Sequence, residues 1–180
     1  MKPNHYMFRF LTLISLVSLT GCLGMPSSVT PINNFDPNNY TGQWYELARL
    51  DHSFERGLSH VSAEYSFRQD GGIKVLNKGY SKQKGQWQQA EGKAYLVEDS
   101  TTGYLKVSFF GPFYGSYVIF HLDPDGQYAF VSGPDHSYLW LMSRTPILTD
   151  EVKKEFVDQA NKKGFDTKQL IFVDQKPTER

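Results

Sequence analysis

The chain has 180 residues, 19 basic and 19 acidic side chains, 39% hydrophobic residues and a single cysteine. That length makes one ordinary domain with a core of its own, too apolar for a disordered chain. Balanced charge lacks the basic footprint of a nucleic-acid binder, and one cysteine excludes an internal disulfide and a Cys-rich metal site.

In chain order, residues 1–21 read as a leader and not as fold. Lys2 and Arg9 make a positive start, and Phe10 to Leu19 is an apolar run. The run is too short for a bilayer span of about 20 residues but suits a secretory signal. It ends in Leu19-Thr20-Gly21-Cys22, which resembles the bacterial lipobox. The resemblance implies cleavage before Cys22, a diacylglyceryl group on its thiol and an acylated amine. Three chains anchor a protein firmly where one does so marginally. Leu23, where Asp would otherwise stand, implies by the same resemblance sorting to the outer membrane. Residues 23–34 carry two prolines and few large side chains, so 22–34 reads as lipidated cysteine plus tether.

Over 35–175, short β-branched and aromatic runs alternate with turn residues. The spacing predicts strands near 42–51, 60–68, 72–80, 86–97, 103–110, 116–122, 127–132 and 137–144. Asp-Gly at 70–71 and 125–126 supplies the positive φ of tight hairpins. A helix over about 149–163 follows, with Thr149 as cap, Asp150 and Glu151 in its first turn, and Lys162 and Lys163 in its last. Val152, Phe156 and Ala160, with Val157 beside them, form its apolar stripe, and Gly164 ends it. A short ninth strand at 169–174 and a tail at 176–180 complete the chain. Eight strands joined by short loops predict an all-β, antiparallel up-and-down barrel with the helix packed outside, since closure removes sticky edges. Its interior holds packed side chains or one small ligand.

Gly42-Gln43-Trp44 resembles the Gly-x-Trp opening of the lipocalins, and Trp140-Leu141-Met142-Ser143-Arg144 resembles their last-strand motif ending in arginine. Their middle motif is matched only by Leu122-Asp123. The stretches 54–58 and 106–115 are most similar to the bacterial outer-membrane lipocalins. The resemblance implies a barrel with one closed end, where Gly42 turns the chain, Trp44 plugs the base and Arg144 lies across its indole.

Strand alternation names the inward side chains. Val61, Ala63, Tyr65 and Phe67 share one face of the second strand, Leu105, Val107 and Phe109 of the fifth, Tyr117 and Ile119 of the sixth, Tyr138 and Trp140 of the eighth. On the fourth, Trp87, Tyr95 and Val97 compete with Ala90, Gly92, Ala94 and Leu96, and the resemblance favours the small set inside. The candidate ligand-binding residues are Tyr65, Val107, Phe109, Tyr117, Ile119, Tyr138 and Trp140, with His52, Phe54 and Arg56 as a lid or rim. The resemblance implies a small lipophilic ligand of the lysophospholipid or fatty acid class. It also implies storage or transport for envelope lipid maintenance, by a protein anchored in the outer membrane and facing the periplasm. The alternative is a filled barrel acting through the aromatic Phe110–Tyr114 surface, as a homodimer contact or a membrane contact. Outward Glu64, Lys74, Lys78 and Lys106 argue against a transmembrane barrel.

His52, His60, His121 and His136 show no His-x-x-x-His spacing, and no Gly-x-Ser-x-Gly elbow or phosphate-binding Gly loop occurs. Neither an enzyme nor a metal or cofactor site is expected.

Overall fold

Short loops turn each strand back on its neighbour, and in the computed structural model, which describes residues 23–176, that meander closes into a barrel. The strands are β1 (Gly42–Arg49), β2 (Leu58–Phe67), β3 (Ile73–Ser81), β4 (Gln86–Leu96), β5 (Tyr104–Phe110), β6 (Phe113–Leu122), β7 (Tyr128–Ser132) and β8 (Leu139–Ser143). All pair antiparallel in sequence order, and β1 bonds both β8 and β2, which closes the ring. A two-residue β9 (Ile171–Phe172) adds to β1. The leader, Cys22 and the end of the tail lie outside the described residues.

Helix α2 (Asp150–Lys162) is capped by the Thr149 side chain, carries Asp150 and Glu151 in its first turn, and is followed by Gly164 at φ +86°. Its fully buried Phe156 and Ala160 pack with Phe130, Leu139 and Leu141 on the outer face of the barrel. A second apolar cluster lies inside the barrel at the closed end, around Trp44, Tyr40, Ile119, Val131 and Met142. Sequence reading missed α1 (Pro37–Tyr40), although Asp36 caps it and Pro37 opens it in the standard arrangement.

That one-turn helix completes the closed end. Trp44 is fully buried and its indole N–H donates to the Tyr40 carbonyl at 2.8 Å. The Arg144 guanidinium stacks 3.9 Å from the Trp44 ring centre and donates to the carbonyls of Gln43 and Asn39. Gly42 takes φ +90°, and a Cβ there would touch the arginine at 3.4 Å.

Residues 23–34 differ from the expected tether. The Gly24 N–H donates to Ser116 Oγ at 2.9 Å, Val29 is buried, and Ile32 exchanges backbone hydrogen bonds with Ile119 and Gly103. The segment is a strap along the barrel, because its few apolar side chains find a groove beside β5 and β6. Spacer-like composition does not reveal such tertiary docking.

The arginine's contacts give a stability test. Two charge-assisted hydrogen bonds and one cation–π contact make Arg144→Ala destabilising by about 2–3 kcal/mol. Urea unfolding is expected to show that loss, and a midpoint equal to that of the native chain would contradict the plug.

Candidate functional site

The inward faces of the upper strands line a cavity of about 640 Å³ that opens at the end opposite Trp44. Its volume falls in the usual range for small-ligand sites, roughly 300–1,000 Å³. Hollowness comes from small side chains on adjacent strands. Ala63 opposes Asn77, and Asn77 opposes Ala90 in register, so all three face inward. Gly92 lets the Phe109 ring approach, since a Cβ there would lie 2.9 Å from it. The small-residue set of β4 is therefore inside, with Trp87 exposed on the outer surface. The barrel is therefore not filled, contrary to that part of the alternative reading.

Of the predicted ligand-binding residues, Tyr65, Val107, Phe109, Tyr117, Tyr138 and Trp140 line this cavity. Ile119 does not. Its face is inward as expected, but it lies deeper, fully buried with Trp44 in the closed-end cluster. Parity gives a face and not a depth, which explains the difference. At the cavity floor Tyr65 Oη donates to Tyr117 Oη at 3.0 Å, and Tyr117 shares a 2.8 Å hydrogen bond with Tyr40. Burial pushes all three phenols up, so they stay neutral and consume one another's polarity.

The predicted lid divides. Phe54 lines the cavity mouth and is over half exposed. Arg56 turns away and pairs with Asp51 at 2.8 Å on the surface. His52 is no solvated rim residue. It is buried in a stack with Phe54, Tyr138 and Trp140, whose ring centres lie 4.1, 5.6 and 5.1 Å away. The loop is short and its aromatic side chains seek one another, so it packs as a wall.

A buried polar group, missed in the sequence, pins that wall. A bulge between Glu46 and Ala48 shifts register against β8, so that Glu46, opposite Met142, and Arg49, opposite Trp140, both point inward. Arg49 Nη1 donates to Glu46 Oε1 at 2.6 Å, and its Nη2 donates to the carbonyls of Glu55 and Leu58. Trp140 Nε1 donates to Glu55 Oε2 at 3.2 Å. Burial, then the neighbouring Glu55 charge, pushes the Glu46 carboxyl well up against the opposing pull of Arg49. Glu55 is itself raised by burial. The only available signal was Arg49 inside the apolar run Leu47-Ala48-Arg49-Leu50, where an unpaired charge would be costly.

His52 Nε2 sits 3.3 Å from Glu55 Oε2. Burial, with help from Arg49, nevertheless lowers the imidazole to about 4, so the contact joins a neutral ring and is no ion pair. Among the described residues no cluster of His, Cys, Asp and Glu has the makings of a metal site.

A family model described as a lipocalin-like domain matches residues 35–175. The chain belongs to the lipocalin family. It is 62% identical over 92% of its length to an outer membrane lipoprotein of Vibrio cholerae serotype O1, and covers 97% of that relative. It is 55% identical over 83% of its length to the outer membrane lipoprotein of Escherichia coli K12, covering 85% of it. Among solved structures, insecticyanin from the tobacco hornworm superposes with TM-score 0.66 at 22% identity, over 84% of this lipocalin and 86% of that chain. Apocrustacyanin C1 gives 0.65 at 19%, over 86% and 94%. These two establish fold alone. The lipocalin resides at the bacterial outer membrane as a lipid-anchored protein, and family and relatives support binding of a hydrophobic ligand.

His52 makes acid stability a test of the wall. The unfolded chain protonates this ring near 6.5 and the fold only near 4. Between those values the unfolded state binds more protons, so stability falls as pH is lowered. The loss at pH 5 is on the order of 1–2 kcal/mol. Glu46, with its raised carboxyl, acts in the opposite sense, so the comparison is with His52→Gln. Urea midpoints of the native lipocalin are expected to fall more between pH 7.5 and 5 than those of the variant. Parallel curves would contradict a buried neutral imidazole.

Proposed function

We propose that this lipocalin reversibly binds one single-tailed lipid, a lysophospholipid or a fatty acid, with its tail in the cavity and its headgroup at the mouth. The observation that carries the reading is the gradient of polarity down the barrel. The floor offers apolar rings and self-paired phenols. The inward polar groups without such pairing sit higher, on β3 and β4. Asn77 has a buried Oδ1 with no hydrogen-bond partner, and Gln88 lies opposite Gly79 nearer the mouth. An alkyl tail gains about 0.8 kcal/mol per methylene buried, and no covalent step is needed.

A fatty acid's carboxylate belongs at the mouth, where it stays solvated, and not beside Trp140 and the buried Glu55. Cys22, acylated as the lipobox resemblance implies, is the anchor, and the domain faces the periplasm. The role is storage or transfer of lipids for envelope maintenance.

The test is a titration of protein beginning at Leu23 with lysophospholipid, fatty acid and two-chain phospholipid. Tryptophan fluorescence follows binding and native mass spectrometry counts bound molecules. Saturable one-to-one binding of a single-tailed lipid is expected. Ala90→Trp, which fills the hollow, is expected to weaken it by about tenfold or more, equivalent to at least about 1.4 kcal/mol, with little change in the urea midpoint. Absence of saturable binding by any of the three, or equal binding by the Ala90→Trp variant, would overturn the reading.

A further inference from the structure

The strap limits how far the described chain stands from its lipid anchor. Gly24 is held by Ser116 near the start of β6, three residues from Phe113 at the cavity mouth. The strap then runs away from the mouth, reaching Thr101 at the closed end through the Phe35 amide. Only Leu23 separates Gly24 from Cys22, and two extended residues span at most about 7 Å. An acylated Cys22 therefore tethers the β5–β6 side of the barrel, near its open end, to the bilayer surface through about 7 Å of chain at most. A flexible spacer would have left orientation free.

That side of the mouth is unusually apolar. Phe110 and Phe113 are 82% and 57% exposed, and both border the cavity opening. Phe54, Trp87 and Leu23 are also exposed toward the open end, so five of the nine large hydrophobic residues exposed in the described chain lie around it. The β3–β4 turn adds exposed Lys82 and Lys84 at the same open end. Aromatic rings flanked by lysines match the chemistry of a membrane interface, where rings sit at headgroup level and amines meet phosphates.

We propose that the lipocalin docks mouth-down on the lipid surface, the Phe110–Phe113 hairpin entering the interface beside the acylated Cys22. This inference rests on the anchor reading of Cys22. Docking turns the open end of the cavity toward the bilayer, so a tail moves between membrane and barrel without exposure to bulk water.

The test uses full-length, lipidated protein in vesicles of phosphatidylethanolamine and phosphatidylglycerol. Phe110→Cys, and Asp125→Cys in the closed-end turn as control, are each labelled with a bimane dye on the one thiol that acylation leaves free. Lipids brominated on their acyl chains are expected to quench the dye at 110 several-fold more than at 125, and aqueous iodide the reverse. Quenching of the dye at 110 by iodide and not by brominated lipid overturns the inference. So does a dye at 110 protected from both quenchers, which would mean that a second copy covers the patch. Mass analysis of the N-terminal peptide separates the two claims. An unacylated Cys22 overturns the anchor reading and this inference together, whereas acylated protein failing the quenching test overturns the inference alone.

Discussion

Arg144 over the Trp44 ring, at 3.9 Å, is the contact on which the rest of the barrel depends. Eight strands enclose room for packed side chains or one small ligand, and here side chains fill one end and leave the other open. The solid end is built from residues far apart in sequence. Tyr40 from α1 meets Trp44 on β1, and Arg144, just after β8, ties both to the backbone of Gln43 and Asn39. Because β1 is also the strand that bonds both β2 and β8, the plug and the barrel seam are one feature.

Above the plug, hollowness is maintained by side chains that are absent as much as by those present. Ala63, Ala90 and Gly92 leave the space that larger residues would fill, while Phe109, Trp140 and Tyr138 hold the opposite walls apart. The β1–β2 loop is kept in place by Arg49, whose burial with Glu46 and Glu55 costs desolvation that close hydrogen bonds offset. Burial and the neighbouring Glu55 push the Glu46 carboxyl up, which favours its neutral form and eases the crowding of two buried carboxyls. The loop is thus a fixed wall, with Phe54 exposed at its edge and stacked on His52.

Much of this was legible in the sequence, and the limits have physical causes. Strand positions followed from alternation and turn chemistry, because a pleated strand half-buried on one face imprints a period of two. The helix followed from Thr149 at its start and Gly164 at its end. Gly42, Trp44 and Arg144 stood out as a motif, and the structure brings them into contact. Most of the candidate cavity residues were named by parity, yet Ile119 was not separable from Tyr117, since depth along the barrel depends on strand stagger. The Glu46–Arg49 pairing was hidden because a bulge breaks the very periodicity that the reading used. The strap escaped notice because its docking is tertiary, decided by Val29 and Ile32 finding a groove made by distant strands. Nothing in the sequence marks Asn77; only its register against Ala63 and Ala90 places it inside.

The measurement that bears most directly on the account is a crystal structure of the lipocalin with a lysophospholipid whose tail ends in bromine. The account predicts an anomalous bromine peak deep in the barrel above Tyr65 and Tyr117, with the headgroup at the mouth beyond Asn77. A cavity without lipid, with the bromine instead on the outer surface at Phe110 and Phe113, would contradict it.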